Sequence, residues 1–320
     1  MSHYSHLTKE ERYQISALLR NETSIAQIAR TINRHPSSIY REIKRNKGKR
    51  GYRPKQANTK AIARKASNQD KLTDFCWAYV THLLAKYWSA EQIVGRLRQL
   101  GWNDVPSIET IYQYVYRDKH KGGKLFAFLR CQKQRRKRYA KARKRRGQIT
   151  DRKDISERPI IIEQRSRLGD FEGDTVVGKN HKGVLLTFVD RTTRLTKMRS
   201  LPNRKASLIS EHSIDLLRNI ETKSITFDNG KEFSHHQYIA EKLQTDIYFA
   251  RPYHSWERGT NENTNGLIRQ FFGKQIRLDN LDSADVQRVE DLLNNRPRKV
   301  LGYLTPVEVM ASATVFALHT

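Results

Sequence analysis

Apolar positions recur along the first third of the chain at the three- and four-residue spacing of helices. In TKEERYQISALLR, residues 8–20, Ile15, Leu18 and Leu19 share a face, and Thr8 with Glu11 three residues on reads as a capping box. In SIAQIARTI, residues 24–32, Ser24 is the cap, and Ile25, Ile28, Ala29 and Ile32 form the apolar face. After a break at 33–35, PSSIYREIKRN, residues 36–46, opens with proline, which suits a first helical turn because an N–H there would have no helical partner. Ile39 and Ile43 turn inward and leave Ser37, Ser38, Tyr40, Arg41, Lys44 and Arg45 outward. Three short helices with a basic, polar third one fit a helix-turn-helix. The order recurs further on. Residues 73–87 form an apolar-periodic helix, Ser89 and Gln92 open a second over 89–101, and Pro106-Ser107 start a third over 106–118 with Ile108, Ile111 and Val115 inward.

After Pro159 the period shortens. DFEGDTVVG (170–178), GVLLTFVDR (183–191) and RLTKMRSL (194–201) predict three consecutive strands. A helix over 205–220, a strand SITF (224–227), a helix over 234–244, a strand DIYFA (246–250) and a helix over 255–272 follow. Strands in series and then alternating with helices predict a mixed α/β sheet. The tail predicts a helix around SADVQRVEDLLNN, then RPRKVLGYLTP, where nothing requires chemistry and Leu301, Leu304 and Pro306 read as packing or a turn, with a short final helix from Thr305.

Charge changes the picture. The 320 residues carry 61 Lys and Arg against 33 Asp and Glu, a formal net charge of +28, which calls for a polyanionic partner. Nucleic acid is the first candidate. An anionic membrane is weaker, since no segment approaches the length of apolar sequence that spans a bilayer. Residues 117–153 hold seventeen Lys or Arg and two acids, too dense a run to sit as a solvated face without a neutralising polyanion. On this basis the third helix of the first unit is expected in a DNA major groove, with Arg41 on a base edge or a phosphate. MSHYSHLTKEERYQ has no apolar run, so no secretory leader is expected. Cys76 and Cys131 are far apart, which excludes a disulfide framework and a Cys-based zinc site and suits a reducing cytosol. The expected division is a helix-turn-helix at 1–46, a basic linker at 47–72, a second helical unit at 73–118, a basic linker at 119–160 and the α/β core at 161–320.

Scattered acids bear on chemistry. Asp174 lies within the first core strand, Asp228 ends a later one in ITFDNGKEF, and Glu262 stands near the start of the helix in SWERGTNENTNGLIRQFF. Asn-Gly after a strand is an ordinary turn signal, and Asp alone suits a turn. Three carboxylates gathered by folding can instead hold the metals of phosphoryl transfer, one activating the attacking oxygen and another stabilising the leaving one. Arg258, Gly266 and Arg269 share roughly the side of Glu262, and the two arginines could contact phosphates or orient carboxylates. Glu172 shares the strand face of Asp174, Asp190 is a turn acid, and His254 and Trp256 read as structural.

The strings FEGDTVVG, TFDNGKEF and YHSWERGTNENTNGLIRQFF, with thirty-three residues between Asp228 and Glu262, resemble the integrase core of bacterial insertion-sequence transposases, and in particular the insertion sequence 30 family. HLTKEERYQI…SIAQIARTINRHPSSIYREIKRN and the closing NNRPRKVLGYLTP match it too, so the resemblance covers nearly the whole chain. It implies an RNase H-like core and Asp174, Asp228 and Glu262 as catalytic metal ligands for Mg²⁺, or Mn²⁺ in its place. It also implies action on the terminal inverted repeats of an element and on target DNA, with cleavage and strand transfer. The expected setting is a homo-oligomer in a bacterial cytoplasm, associated with the nucleoid. Two other readings stay open on the residues alone: a DNA-binding regulator with an inert α/β half, and a simple metal-dependent nuclease.

Overall fold

In the computed structural model, which describes residues 6–67, 72–130, 149–252 and 254–317, Thr8 and Ser24 cap the first two helices as their spacing requires. These are α1 (Lys9–Arg20) and α2 (Ile25–Thr31); α3 (Pro36–Asn46) begins with its proline after a turn in which Asn33 takes a positive φ of 52°. Each of the two caps exchanges backbone and side-chain hydrogen bonds with the residue three on, which satisfies N–H groups that a helix start leaves orphaned. Ile15, Ile28, Ala29 and Ile39 form the buried centre, as the periodicity predicted. An ion pair between Arg12 and Glu42 at 2.8 Å, nearly excluded from solvent, ties α1 to α3.

Residues 47–72 were expected as a linker, yet they include α4 (Pro54–Ser67). Its own apolar periodicity is weak. Tertiary contact supplies what the pattern lacks: Ala57 is fully buried, and Arg12 donates to Asn58 Oδ1 at 3.3 Å. The chain divides into two compact units, Met1–Trp77 and Ala78–Thr320. The basic stretch 131–148, with Cys131, lies outside the described residues.

The second helical set is α5 (Asp74–Ala85), α6 (Ala90–Gln99) and α7 (Ile108–His120). Leu84, Ile93, Leu97, Ile111 and Val115 are fully buried. Ile108, expected inward, is 40% exposed, because it is the first residue of α7, before the helix meets its neighbours. Gly95 on α6 lies under Tyr303: a Cβ there would come within 2.2 Å of the ring.

The sheet follows. Its strands are β1 (Lys153–Asp154), β2 (Asp170–Val177), β3 (Val184–Asp190), β4 (Thr196–Leu201), β5 (Ser224–Phe227) and β6 (Asp246–Phe249). The helices are α8 (Ile160–Gln164), α9 (Ala206–Leu217), α10 (His236–Leu243), α11 (Gly259–Phe271), α12 (Ser283–Asn294) and α13 (Pro306–Ala317). Strand order is β1-β6-β5-β2-β3-β4. β2, β3 and β4 run antiparallel in series, while β5 pairs parallel with β2, and β6 with β5. A three-strand meander extended from its first strand by parallel βα units is the RNase H-like arrangement. β1 and α8 escaped the sequence reading because two and five residues are too short to carry a period.

Strand alternation sorts the core into two layers. Val184, Leu186 and Phe188 pack with Ile209, Leu217 and Ile239 of α9 and α10. Leu185 and Val176 pack on the other side with Leu267, Ile268, Val289 and Leu293 of α11 and α12. Burying each such side chain contributes roughly 1.5–3 kcal/mol. At Gly173 a Cβ would stand 2.3 Å from the Phe227 ring, so only glycine lets β2 and β5 close over that phenyl group.

Candidate active site

Asp174 sits in the middle of β2, and Asp228 follows the last residue of β5. The two strands are parallel with Glu172 opposite Thr226. Two residues further, the same register sets Asp174 beside Asp228 on the same face, the one that α11 covers. The two oxygens of Asp228 divide the roles that the sequence left open. Oδ1 accepts the Gly230 N–H at 2.8 Å and closes the Asp-Asn-Gly turn, while Oδ2 faces the guanidinium of Arg258.

Arg258 lies between the acids. Its Nη1 is 3.6 Å from Asp174 Oδ2, its Nη2 is 3.6 Å from Asp228 Oδ2, and Nη1 also donates to the Gly173 carbonyl at 3.3 Å. Asn265 Nδ2 donates to Asp174 Oδ2 at 2.8 Å, and the Thr175 N–H donates to Oδ1. Burial pushes the Asp174 carboxyl above its ordinary range; Arg258 opposes that and the Asp228 charge reinforces it.

Glu172, on the same strand face, serves a different end. It is fully buried, pairs with buried Arg191 at 2.7 Å, and accepts the Asn261 N–H at 2.9 Å through its other oxygen. The carboxylate therefore caps the first turn of α11 and fixes that helix against β2. Asp190 accepts from the N–H groups of Gly169, Thr192 and Thr193, the turn role expected of it. His254 Nδ1 engages the Pro252 carbonyl at 2.8 Å. The side chain of Trp256 lies outside the described residues.

The helix predicted over 255–272 opens as a 3-10 turn, Ser255–Arg258, and becomes α-helical from Gly259. Arg258, Glu262, Asn265 and Arg269 follow at helical steps of four, three and four and share a face. Three of them touch β2: Arg269 donates to the Val177 carbonyl at 2.7 Å and to Phe272 O at 3.3 Å. Glu262 is exposed. Among the described residues no three His, Cys, Asp or Glu side chains gather closely enough to hold one metal ion. The expected three-acid set is thus two adjacent aspartates with a guanidinium between them and a glutamate on the same helical face. Carboxylate oxygens are donors that a hard divalent cation takes. The pair therefore fits such an ion chemically, with Arg258 supplying the positive charge between the acids. Asn265 escaped the sequence reading, although its place three residues after Glu262 was a usable signal.

On α3, Ser37, Tyr40, Arg41, Lys44 and Arg45 are exposed and Ser38 is half-buried. Arg41 folds back on its own helix, donating to the Ser37 carbonyl at 3.0 Å and to Ser37 Oγ at 3.1 Å.

A model of a helix-turn-helix domain matches residues 3–46. Over 309 residues the chain is 45% identical to the transposase for insertion sequence element IS4351 of Bacteroides fragilis, covering 95% of this chain and 94% of that one. It is 35% identical to transposase InsI for insertion sequence element IS30C of Escherichia coli (strain K12), covering 96% and 83%. Among solved structures, the catalytic core domain of BIV integrase matches 47% of this chain and 98% of its own, with 17% identity and a TM-score of 0.38. The helix-turn-helix, the RNase H-like core and the two transposase relatives define a transposase-type enzyme that acts on DNA. The chain belongs to the family of insertion-sequence transposases. Among the described residues no helix is long and apolar enough to cross a membrane.

Proposed function

We propose that this chain is a transposase of the insertion sequence 30 branch, which binds the terminal inverted repeats of its element, cleaves there and joins the freed end to target DNA. The observation that carries the reading is the placement of Asp174 beside Asp228 under the α11 face that bears Glu262. Asp174, Asp228 and Glu262 are the proposed catalytic residues and the ligands of Mg²⁺, or Mn²⁺ in its place. Divalent ions at such carboxylates stabilise charge on the attacking and leaving oxygens of a phosphodiester. The protein's own part is positional. Glu172 holds the start of α11 on β2, Asn265 orients the Asp174 carboxylate, and Arg258 balances the two aspartate charges before DNA arrives.

Helix α3 reads the repeat in the major groove through Arg41 and its neighbours, while Lys44, Arg45 and the basic run at 131–148 hold phosphates. Within the domain division, 1–46 recognises DNA and 161–320 carries the chemistry. Two element ends and one target call for more than one active site, which a symmetric homo-oligomer supplies. The site of action is the bacterial cytoplasm, on the nucleoid.

Asp174→Asn, Asp228→Asn and Glu262→Gln are each expected to abolish Mg²⁺-dependent cleavage and joining of terminal-repeat DNA while sparing binding. Robust joining by any one of these variants, properly folded, removes that residue from its role. Cutting without joining by the unaltered protein would make it a nuclease instead, and binding without cutting a regulator.

A further inference from the structure

The RPR stretch at 296–298, where the sequence requires no chemistry, buries two arginines without an ion-pair partner among the described residues. Arg296 is 3% exposed and Arg298 is 7% exposed. Arg296 donates from Nε to Gln92 Oε1 at 2.8 Å and from Nη1 to Gln270 Oε1 at 3.3 Å. Arg298 donates from Nη2 to the Leu293 carbonyl at 3.0 Å, and its buried Nε has no partner. Arg194 approaches from the turn after β3; it reaches Thr260 Oγ1 at 2.7 Å, and its Nε is also buried without a partner. Arg130 lies over α11 at Gly266, where a Cβ would stand 2.7 Å from its Nη2. None of these four makes an ion pair with a described Asp or Glu, although Glu172 and Asp190 act on the charge of Arg194 from further away.

The electrostatics agree with the geometry. Burial, then the like charges of Arg298 and Arg130, push the Arg296 guanidinium down to about 9. Burial, then Arg194 and Arg130, push Arg298 down to about 10. Guanidinium groups stay protonated in proteins, so the cluster remains cationic at neutral pH. Buried charge without a counterion costs several kcal/mol, and buried donors without acceptors add to that. Nearby neutral groups, Gln92, Gln270 and Thr260, take some of the N–H bonds but cancel none of the charge.

We propose that Arg194, Arg296 and Arg298, with Arg130 at the mouth, form a binding site for a backbone phosphate of the DNA on which the enzyme acts. A phosphodiester offers the single negative charge and the multiple acceptor oxygens that clustered guanidinium forks match. Arg130 is exposed and Arg194 half-exposed, which opens the cluster to solvent. Its position also suits the substrate. Along α11, Gly266 and Gln270 lie about 40–80° around the helix from Glu262, at 100° per residue. A strand pinned at this site therefore runs along the flank next to the acids. The proposal rests on the reading of the chain as a transposase only for the identity of the DNA. Its test reads binding, so it stands or falls apart from catalysis.

The full chain is titrated with duplexes carrying the ends of its element, each with one phosphate replaced by a neutral methylphosphonate. One position is expected to cost the unaltered protein about tenfold in affinity. At that position, and no other, the replacement should cost Arg298→Met and Arg194→Met nothing further. The salt dependence of either variant should fall by about one unit of slope. A purely structural role predicts that variant and replacement losses multiply at every position, and that result overturns the proposal. If Arg298→Met does not fold, the half-exposed Arg194→Met carries the test alone. Inorganic phosphate at matched ionic strength provides the second arm. Stabilisation by free phosphate that Arg298→Met abolishes, without any coupled position on DNA, would assign the site to free anions and reject the DNA phosphate.

Discussion

The Glu172 carboxylate accepts the backbone N–H of Asn261 at 2.9 Å while its other oxygen pairs with Arg191 at 2.7 Å. One buried acid thus joins the central strand to the helix that carries Glu262, and does so next to, and not within, the pair of aspartates. It sets where α11 begins, and so where Arg258, Glu262 and Asn265 fall.

Glu172→Gln keeps an acceptor for Asn261 but leaves Arg191 buried opposite a neutral group. Breaking a buried pair on one side costs about 3 kcal/mol, moderated here by Glu163 at 3.3 Å from Arg191. Urea unfolding of the variant is expected to shift by roughly that amount. A variant as stable as the parent would show that Glu163 alone suffices for Arg191.

Arg258→Met leaves Asp174 and Asp228 facing each other without the intervening cation. Without divalent ions the variant should be less stable by roughly 1–2 kcal/mol. Millimolar Mg²⁺ should recover most of the difference and stabilise the parent less, since there the guanidinium already balances the charge. Equal Mg²⁺ responses of the two proteins in thermal unfolding would contradict this reading of the 3.6 Å contacts.

Arg41 is held to Ser37 in free α3 and must leave that position to reach a base. Arg41→Ala should weaken binding to the terminal repeat by about 1–3 kcal/mol with altered preference at one base pair. A uniform loss across all sequences would assign Arg41 to a phosphate.

Neutralising several Lys and Arg between 135 and 146 should lower affinity for cognate and random duplexes alike and flatten the salt dependence. Affinity and salt slope both unchanged would leave this run without an electrostatic role.

Glu11 gives a pH signature in the first unit. Burial, the largest influence, raises its carboxyl, but the ion pair with Arg34 and the Thr8 N–H outweigh it and hold it below the ordinary 4.5. A depressed folded value means that its stabilisation is fully present above the unfolded value and is lost as pH falls through the folded one. Hydrogen exchange of residues 9–20 in the parent and in Glu11→Gln should therefore differ fully above pH 4.5 and converge only as pH falls through the lower folded value. A difference that grows on acidification would reverse the sign.

Much of the fold was legible because its signals are local. The capping residues Thr8, Ser24 and Ser89 mark helix starts by short-range hydrogen bonds. Leu185 and Leu186 go to opposite layers because a strand alternates. The helix α4 was not legible, since its stability comes from Arg12 and other groups distant in sequence. Nor were β1 and α8, which are shorter than any period.

For the site, the sequence by itself determined which carboxylates were candidates, and strand parity determined that Glu172 and Asp174 share a face. Only the tertiary structure separated their uses. Register across β2 and β5 put Asp174 beside Asp228, while Arg191, distant in sequence, claimed Glu172 and left it buried and paired. The same holds for Arg296 and Arg298. In the chain they are two of 61 basic residues, and only burial without an ion pair to a described carboxylate sets them apart, because the cost of a charge depends on the surroundings that folding gives it.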